Sequence, residues 1–138
     1  LNLKLLAKSN SILNTPPTMS IFVLNLVTNW MLEMGGIDYF QNKAHEQSKE
    51  IYDFIDSNSD VLDCKVDNKY RSKSNIVFNF LNDEHNKEFV DLAAEKGIIG
   101  INGHRSVGGI RVSLFNSIDD HMFDYFMKYF KNYLIGIK

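Results

Sequence analysis

The densest group of chemically capable side chains lies at residues 102–111, which read Asn-Gly-His-Arg-Ser-Val-Gly-Gly-Ile-Arg. Glycines let backbone N–H groups approach a ligand closely. The guanidinium groups of Arg105 and Arg111 are planar, forked donors that suit carboxylate and phosphate. Hydrogen bonds of this charged kind contribute roughly 1.5–3 kcal/mol each, enough to select substrates by their anionic ends. The segment is therefore predicted to be an anion-binding loop between two strands.

Arg111 is the most sharply placed of these side chains. Strand alternation puts Ile110, Val112 and Leu114 on one face and Arg111 with Ser113 on the other, so Arg111 does not face an aliphatic core. From spacing alone, a surface arginine in an ion pair is favoured over a ligand-binding one. By the same standard, His104 and Arg105 are typical of an ordinary solvated turn.

A second polar group, Asn14-Thr15, stands before Pro16-Pro17-Thr18 and a predicted helix start. The prolines fix φ and remove backbone donors, which holds the two polar residues extended. The simpler interpretation is an N-terminal helix cap, because Asn and Thr oxygens commonly accept the unpaired N–H groups there. The alternative is phosphate binding by the amide and hydroxyl at the helix start.

The remaining histidines and the single cysteine indicate no catalytic or metal-binding site. His45, His85 and His121 lie among polar residues and are expected to be solvated, and no pair of them has the spacing of a metal site. No Walker loop, nucleophile elbow or dinucleotide fingerprint occurs. Cys64, the single cysteine, is expected to be a packed thiol in a reducing compartment, which points to a cytoplasmic protein.

Amino-acid composition limits the number of hydrophobic cores and the class of partner that this chain can have. With 138 residues and 44% hydrophobic content, the chain can bury one ordinary core. Fifteen basic and 17 acidic residues leave a formal charge of -2, which gives no general reason to expect nucleic acid or an anionic membrane as partner. The longest apolar stretch, 19–34, is interrupted by polar residues and is too polar to span a bilayer.

Periodicity predicts a small α/β sandwich, with helices on one face of a mostly antiparallel sheet. Residues 1–13 are expected to be a connector. The predicted helices are 17–34, 38–58, 84–96 and 119–134, and the predicted strands are 61–66, 75–80, 98–101 and 109–115.

The first predicted helix is apolar on more than one side, and Gly35-Gly36 should end it with a left-handed cap. Such a helix belongs either in the middle of a larger protein or against a second subunit. Without that cover, residues such as Phe22 and Trp30 would be exposed, and the chain is expected to self-associate.

Four segments taken together resemble phosphoserine aminotransferases, a family of fold-type-I enzymes that use pyridoxal 5'-phosphate. They are 14–18, Gly35-Gly36, 71–78 (Arg-Ser-Lys-Ser-Asn-Ile-Val-Phe) and 103–113, in matching order and separation. The resemblance runs from about Leu5 to Tyr133. It implies a connector and interface helix at 1–36 and a small C-terminal α/β domain at 37–138 of a longer, homodimeric protein.

The resemblance also implies roles for the polar residues. Asn14 and Thr15 would reach the cofactor phosphate of the other subunit. Arg111 would bind the substrate α-carboxylate, while His104 and Arg105 would bind the substrate phosphate group from the neighbouring subunit. The substrates would be phosphoserine, glutamate and their keto acids, exchanged in serine biosynthesis.

The family's Schiff-base lysine precedes the Asn-Thr-Pro-Pro motif, and Lys4 and Lys8 stand where the family has a connector. No catalytic residue is therefore assigned in this chain, which is expected to be a truncated portion that is inactive alone. The alternative is a non-catalytic oxyanion-binding or dimerisation module derived from the same domain.

Overall fold

A single antiparallel sheet organises the C-terminal two-thirds of the chain in the computed structural model, which describes residues 2–138. Within that range the sheet has four strands in the order β1-β2-β4-β3. They are β1 (Leu62–Asp63), β2 (Asn75–Phe80), β3 (Asn102–His104) and β4 (Gly108–Ser113). Alternate residues of β2 and β4 are buried, so one face of the sheet is covered and the other is open.

Helices precede, separate and follow these strands. Over the same described range they are α1 (Leu3–Lys8), α2 (Thr18–Glu33), α3 (Gly36–Ser57), α4 (Asp83–Glu95) and α5 (Asp120–Ile137), with a 3-10 turn at Asn68–Tyr70. Buried residues of α3, α4 and α5 join those of β2 and β4 in one core. This confirms the predicted α/β fold with a helical layer on one side of an antiparallel sheet.

Phenylalanines fill the centre of that core. Phe78 and Phe80 of β2, Phe89 of α4 and Phe130 of α5 are each at most 1% exposed. The Phe78 and Phe130 rings stack at 4.9 Å, and Phe80 and Phe89 meet at 5.4 Å. Each such aromatic pair adds roughly 0.5–1.5 kcal/mol beyond its buried area, so these contacts fix how α4 and α5 lie on the sheet.

Two sequence-based expectations about strands were wrong. Residues 98–101 form no strand, because Gly97 and Gly100 adopt left-handed φ angles of 79° and 80° and bend the segment. The pairing with β4 begins with the backbone of Ile101 and continues along β3. The strand expected at 61–66 pairs only at Leu62–Asp63.

The expected connector at 1–13 contains a short helix, α1. The side chain of Asn2 accepts a hydrogen bond from the Leu5 N–H at 3.2 Å and caps its start. Leu, Lys and Ala are strong helix formers, which explains why this stretch is helical without a clear apolar period.

The chain divides into two compact units, Leu1–Tyr39 and Phe40–Lys138. In the first unit no residue of α2 is buried, and its apolar side chains are exposed on every side, as the sequence indicated. Gly35 and Gly36 follow at φ 112° and 69°, which confirms the left-handed end of the helix. The predicted domain boundary after residue 36 stays a prediction.

Among residues 2–138, no single helix is long and apolar enough to cross a membrane, and α2 and α3 meet the length and hydropathy requirement only when taken together.

Candidate functional site

The glycine-rich segment 102–111 is a β-hairpin, so the prediction of a loop between two strands was wrong. Asn102 pairs with Ile110 and His104 with Gly108, which leaves only Arg105, Ser106 and Val107 as the turn. The hairpin presents the candidate anion-binding residues at two places, with His104 and Arg105 at its tip and Arg111 in the middle of β4.

Glycines make this pairing possible. A Cβ at Gly103 would lie 1.9 Å from the carbonyl oxygen of Gly108, and a Cβ at Gly109 would lie 2.9 Å from the carbonyl oxygen of Phe78. Both atoms belong to the backbone, and Gly109 also has a φ of 71°, so a side chain at either position would be strained. The glycines therefore serve the close packing of hairpin and sheet, in addition to any contact with a ligand.

Arg111 lies on the open side of the sheet. Ile110 and Val112 beside it are buried in the helix-covered core, which confirms the predicted alternation along β4. Its Nε is buried and has no hydrogen-bond partner, and its guanidinium forms no ion pair with any of residues 2–138. The ion-paired surface arginine that spacing favoured is therefore not what the structure contains.

Arg71 shows what a structural arginine looks like in the same unit. Its Nη1 and Nη2 donate to the two carboxylate oxygens of Asp56 at 2.6 and 2.7 Å. These bonds hold the pKa of the Asp56 carboxyl below its ordinary value. The guanidinium also covers the ring of Tyr52 at 4.6 Å, and burial raises the pKa of that phenol to about 12. Arg71 has its partners inside the protein, whereas Arg111 has no hydrogen-bond or ion-pair partner among residues 2–138.

His104 and Arg105 are both exposed at the hairpin tip. The Nδ1 of His104 lies 2.8 Å from the Ser106 hydroxyl and accepts from the Ser106 N–H at 3.3 Å. Because Nδ1 accepts, the neutral ring carries its proton on Nε2 and offers an N–H donor to an anion. Arg105 forms no ion pair within the described part of the chain.

Asn14 and Thr15 are exposed and precede α2, in the unit Leu1–Tyr39. The capping interpretation was wrong, because the N-cap of α2 is Pro17 and no side chain caps that helix. The two prolines keep the helix from starting before Thr18, so the Asn14 and Thr15 side chains stand too far ahead to reach its first N–H groups. Neither side chain hydrogen-bonds to another of residues 2–138.

His85 was expected to be solvated, and the structure instead places it in a network. Its Nδ1 lies 3.0 Å from a Glu88 carboxylate oxygen and 3.1 Å from the Tyr133 hydroxyl. Tyr133 donates to Glu88 at 2.6 Å, and this bond, followed by the one from His85, lowers the pKa of Glu88. The spacing of His85 and Glu88, three residues apart on a helix, was the available signal.

Comparison with known proteins identifies the family to which the sequence is similar. The Aminotransferase class-V family model matches residues 2–126. The phosphoserine aminotransferase of Bacillus thuringiensis subsp. konkukian is 38% identical over 133 residues, which is 96% of this chain and 37% of that protein. That of Dichelobacter nodosus is 42% identical over 113 residues, 82% of this chain and 31% of that protein.

Solved structures give the same result. Phosphoserine aminotransferase from Bacillus circulans subsp. alkalophilus superimposes with a TM-score of 0.90 and 32% identity, over 99% of this chain and 38% of that one. A PLP-bound phosphoserine aminotransferase from Trichomonas vaginalis has a TM-score of 0.81 and 27% identity, over 94% of this chain and 37% of that one.

The chain thus spans about a third of the length of the curated relatives it matches. The family model covers the four described strands, helices α1 to α4 and the first turns of α5. The chain belongs to the class-V aminotransferase family.

Proposed function

We propose that this chain is the substrate- and cofactor-binding portion of a phosphoserine aminotransferase that acts in the cytoplasm. The complete enzyme would exchange an amino group between glutamate and 3-phosphohydroxypyruvate, giving O-phosphoserine and 2-oxoglutarate for serine biosynthesis. The named relatives support the reaction. The observation that carries the proposal is the guanidinium of Arg111, which has a buried Nε and no protein acceptor among residues 2–138.

Arg111 would bind the α-carboxylate that the amino-acid and keto-acid substrates share. A buried donor without a partner costs about 1–3 kcal/mol, and a carboxylate on the forked guanidinium would remove that cost. Binding both substrates by the same group holds each in one orientation, which is a large part of what an enzyme contributes to a transfer reaction.

His104 and Arg105 would bind the substrate phosphate group. Both are exposed, and the Nε2–H of His104 and the Arg105 guanidinium are neighbouring donors at the hairpin tip. This tip lies three ladder positions from Arg111, about 10 Å of strand. That separation supports assigning the tip and Arg111 to different active sites, with the tip reaching the neighbouring subunit.

The donor set at the start of α2 suits the phosphate of pyridoxal 5'-phosphate. Asn14 offers an amide N–H and Thr15 a hydroxyl, and neither group hydrogen-bonds to another described side chain. They precede a helix start, where unpaired N–H groups favour an anion. When bound, this cofactor supplies the electron sink for the amino-group chemistry. The residues of this chain would hold its phosphate and orient the substrate.

The proposed assembly is a homodimer. Every side of α2 presents apolar residues, including Met19 at 73% and Leu32 at 70% exposure, and no residue of the helix is buried within the described chain. Large exposed apolar surfaces of this kind mark protein interfaces. Cover from the rest of the subunit and from a second copy would bury this helix.

The test is a chimeric subunit in which the upstream part of the Bacillus thuringiensis relative precedes this chain. We expect it to transfer the amino group of O-phosphoserine to 2-oxoglutarate. Arg111→Lys keeps the charge but loses the forked geometry, so it should raise the KM for both substrates. Arg105→Met should reduce the preference for O-phosphoserine over serine, and Arg71→Lys, outside the proposed site, should leave both KM values unchanged.

Two results would count against this function. Equal turnover of serine and O-phosphoserine would remove the phosphate-binding role of the hairpin tip. A chimera that binds O-phosphoserine and the cofactor without turnover would favour the non-catalytic oxyanion-binding module.

A further inference from the structure

The tip of the hairpin is a tight turn. The Val107 N–H donates to the His104 carbonyl at 2.9 Å, which closes a β-turn with Arg105 and Ser106 as its central residues. Gly108 follows at a φ of 73° and leads the chain into β4. The backbone of the turn therefore brings Ser106 close to the His104 side chain.

Ser106 makes two contacts with one nitrogen of the His104 ring. The Ser106 Oγ lies 2.8 Å from Nδ1, and the Ser106 backbone N–H donates to the same nitrogen at 3.3 Å. Asn and Asp side chains stabilise turns by the same kind of bond, to the backbone two residues on. Because the backbone N–H can only donate, Nδ1 is an acceptor, and the hydroxyl donates to it as well.

The second ring nitrogen of His104, Nε2, forms no hydrogen bond with any of residues 2–138. With Nδ1 as the acceptor, the neutral ring carries its proton on Nε2. The side chain is exposed, and exposed side chains change rotamer rapidly when nothing holds them. Within the described chain, Ser106 is the residue whose hydrogen bonds determine which ring nitrogen is left as a free donor.

We propose that Ser106 is a positioning residue, which holds His104 so that its Nε2–H is the donor offered to an anion at the hairpin tip. The identity of that anion as a substrate phosphate rests on the proposed function, whereas the orientation of the ring does not. The Ser106 hydroxyl donates its only proton to Nδ1, so it has no donor left for the anion. Ser106 therefore acts through His104.

The orientation of the ring matters because only one form of the neutral imidazole suits a phosphate oxygen at Nε2. Without the Ser106 hydroxyl, the ring would turn more freely and would populate the form protonated on Nδ1, in which Nε2 is an acceptor. Ordering a free side chain during binding lowers affinity. Loss of the hydroxyl should therefore weaken phosphate recognition by about three- to tenfold.

The first test observes the ring directly, by NMR of the His104 ring nitrogens in the 138-residue chain at mildly alkaline pH. The original chain should show a protonated Nε2 and an unprotonated Nδ1. Ser106→Ala should increase the share of the form protonated on Nδ1, and Ser106→Thr, which keeps the hydroxyl, should not. Ser117→Ala changes an exposed serine outside the hairpin and should leave both signals unchanged.

The second test uses the chimeric subunit and its preference for O-phosphoserine over serine. Ser106→Ala should lower this preference by about three- to tenfold, mainly by raising the KM for O-phosphoserine, because the phosphate group does not change during amino transfer. Ser106→Thr should keep the preference. In a chimera that already carries His104→Ala, Ser106→Ala should cause no further loss, because the residue that it positions is gone.

The inference is overturned if Nδ1 carries the proton in the original chain, or if Ser106→Ala leaves the ring-nitrogen signals unchanged. It is also overturned if Ser106→Ala lowers the preference as much in the His104→Ala chimera as in the one that keeps His104. A chimera without turnover would refute the proposed function, and the ring-nitrogen signals alone would then decide this inference. An active, phosphate-selective chimera that Ser106→Ala does not affect would refute the inference and leave the proposed function standing.

Discussion

Arg71 and Arg111 lie in the same compact unit but differ in whether the protein supplies an acceptor, so replacing each with methionine should change stability differently. Arg71 makes two charged hydrogen bonds to Asp56 and covers Tyr52. Charged hydrogen bonds contribute roughly 1.5–3 kcal/mol each. Asp56 is 47% exposed, so solvent screening reduces this sum. We expect Arg71→Met to lower the free energy of unfolding by about 1–2 kcal/mol.

Arg111→Met should have the opposite sign or no effect. It removes a buried donor without a partner, whose burial costs about 1–3 kcal/mol, and puts an apolar chain of similar length in its place. The expected change is between zero and a gain of about 1 kcal/mol, the usual pattern when a functional residue is replaced by a better-packing one.

Urea unfolding followed by far-UV circular dichroism measures both changes. With a slope of about 2 kcal/mol per molar urea, Arg71→Met should lower the midpoint by about 0.5–1 M, and Arg111→Met should leave it unchanged or raise it. Because both residues belong to Phe40–Lys138, they report on the same unit. If Arg111→Met lowers the midpoint as far as Arg71→Met, Arg111 has a structural partner and the proposed function loses the observation that carries it.

Further predictions concern the core, the hairpin, the dependence of stability on pH in acid, and transaminase activity. Phe89→Ala should cost about 3–5 kcal/mol, seen in the same unfolding experiment, because the ring is fully buried among other aromatic rings. Gly103→Ala should raise hydrogen exchange in the hairpin, because the new Cβ would strike backbone, whereas Gly136→Ala, with open space around it, should not. The pKa of Glu88 is lowered in the folded chain, so its hydrogen bonds to Tyr133 and His85 stabilise the fold above the unfolded-state pKa, and this stabilisation is lost as pH falls. Tyr133→Phe removes one of these bonds and should make the free energy of unfolding less dependent on pH in acid. An NMR titration of Glu88 that is the same in Tyr133→Phe as in the original chain would contradict this. The isolated chain should show no transaminase activity, and a borohydride-stable cofactor adduct on any of its lysines, found by mass spectrometry, would contradict that expectation.

Local patterns were enough to predict most of the fold. Helix and strand types follow from side-chain periodicity, and most element ends fell within a few residues of the observed ones. The face on which Arg111 lies could be predicted because Ile110 and Val112 alternate with it. The end of α2 could be predicted because Gly35-Gly36 is the usual left-handed terminator.

Pairing between distant residues could not be predicted in this way. The difference between Arg71 and Arg111 depends on Asp56, which reaches Arg71 from α3 across 15 positions of sequence. The His85 network likewise needs Tyr133, 48 residues away. The hairpin at 102–111 was missed because its register is a property of the folded sheet, although the glycines that allow it were visible in the sequence.

The exposed helix α2 has a consequence for how the protein is handled. Helices in proteins owe most of their stability to packing, and α2 has no buried residue within the described chain. If the proposed homodimer forms, a freshly synthesised copy would attract chaperones and proteases that recognise apolar segments until its partner covers α2. In the test tube, its melting temperature should rise with protein concentration, since association would be what keeps this helix covered.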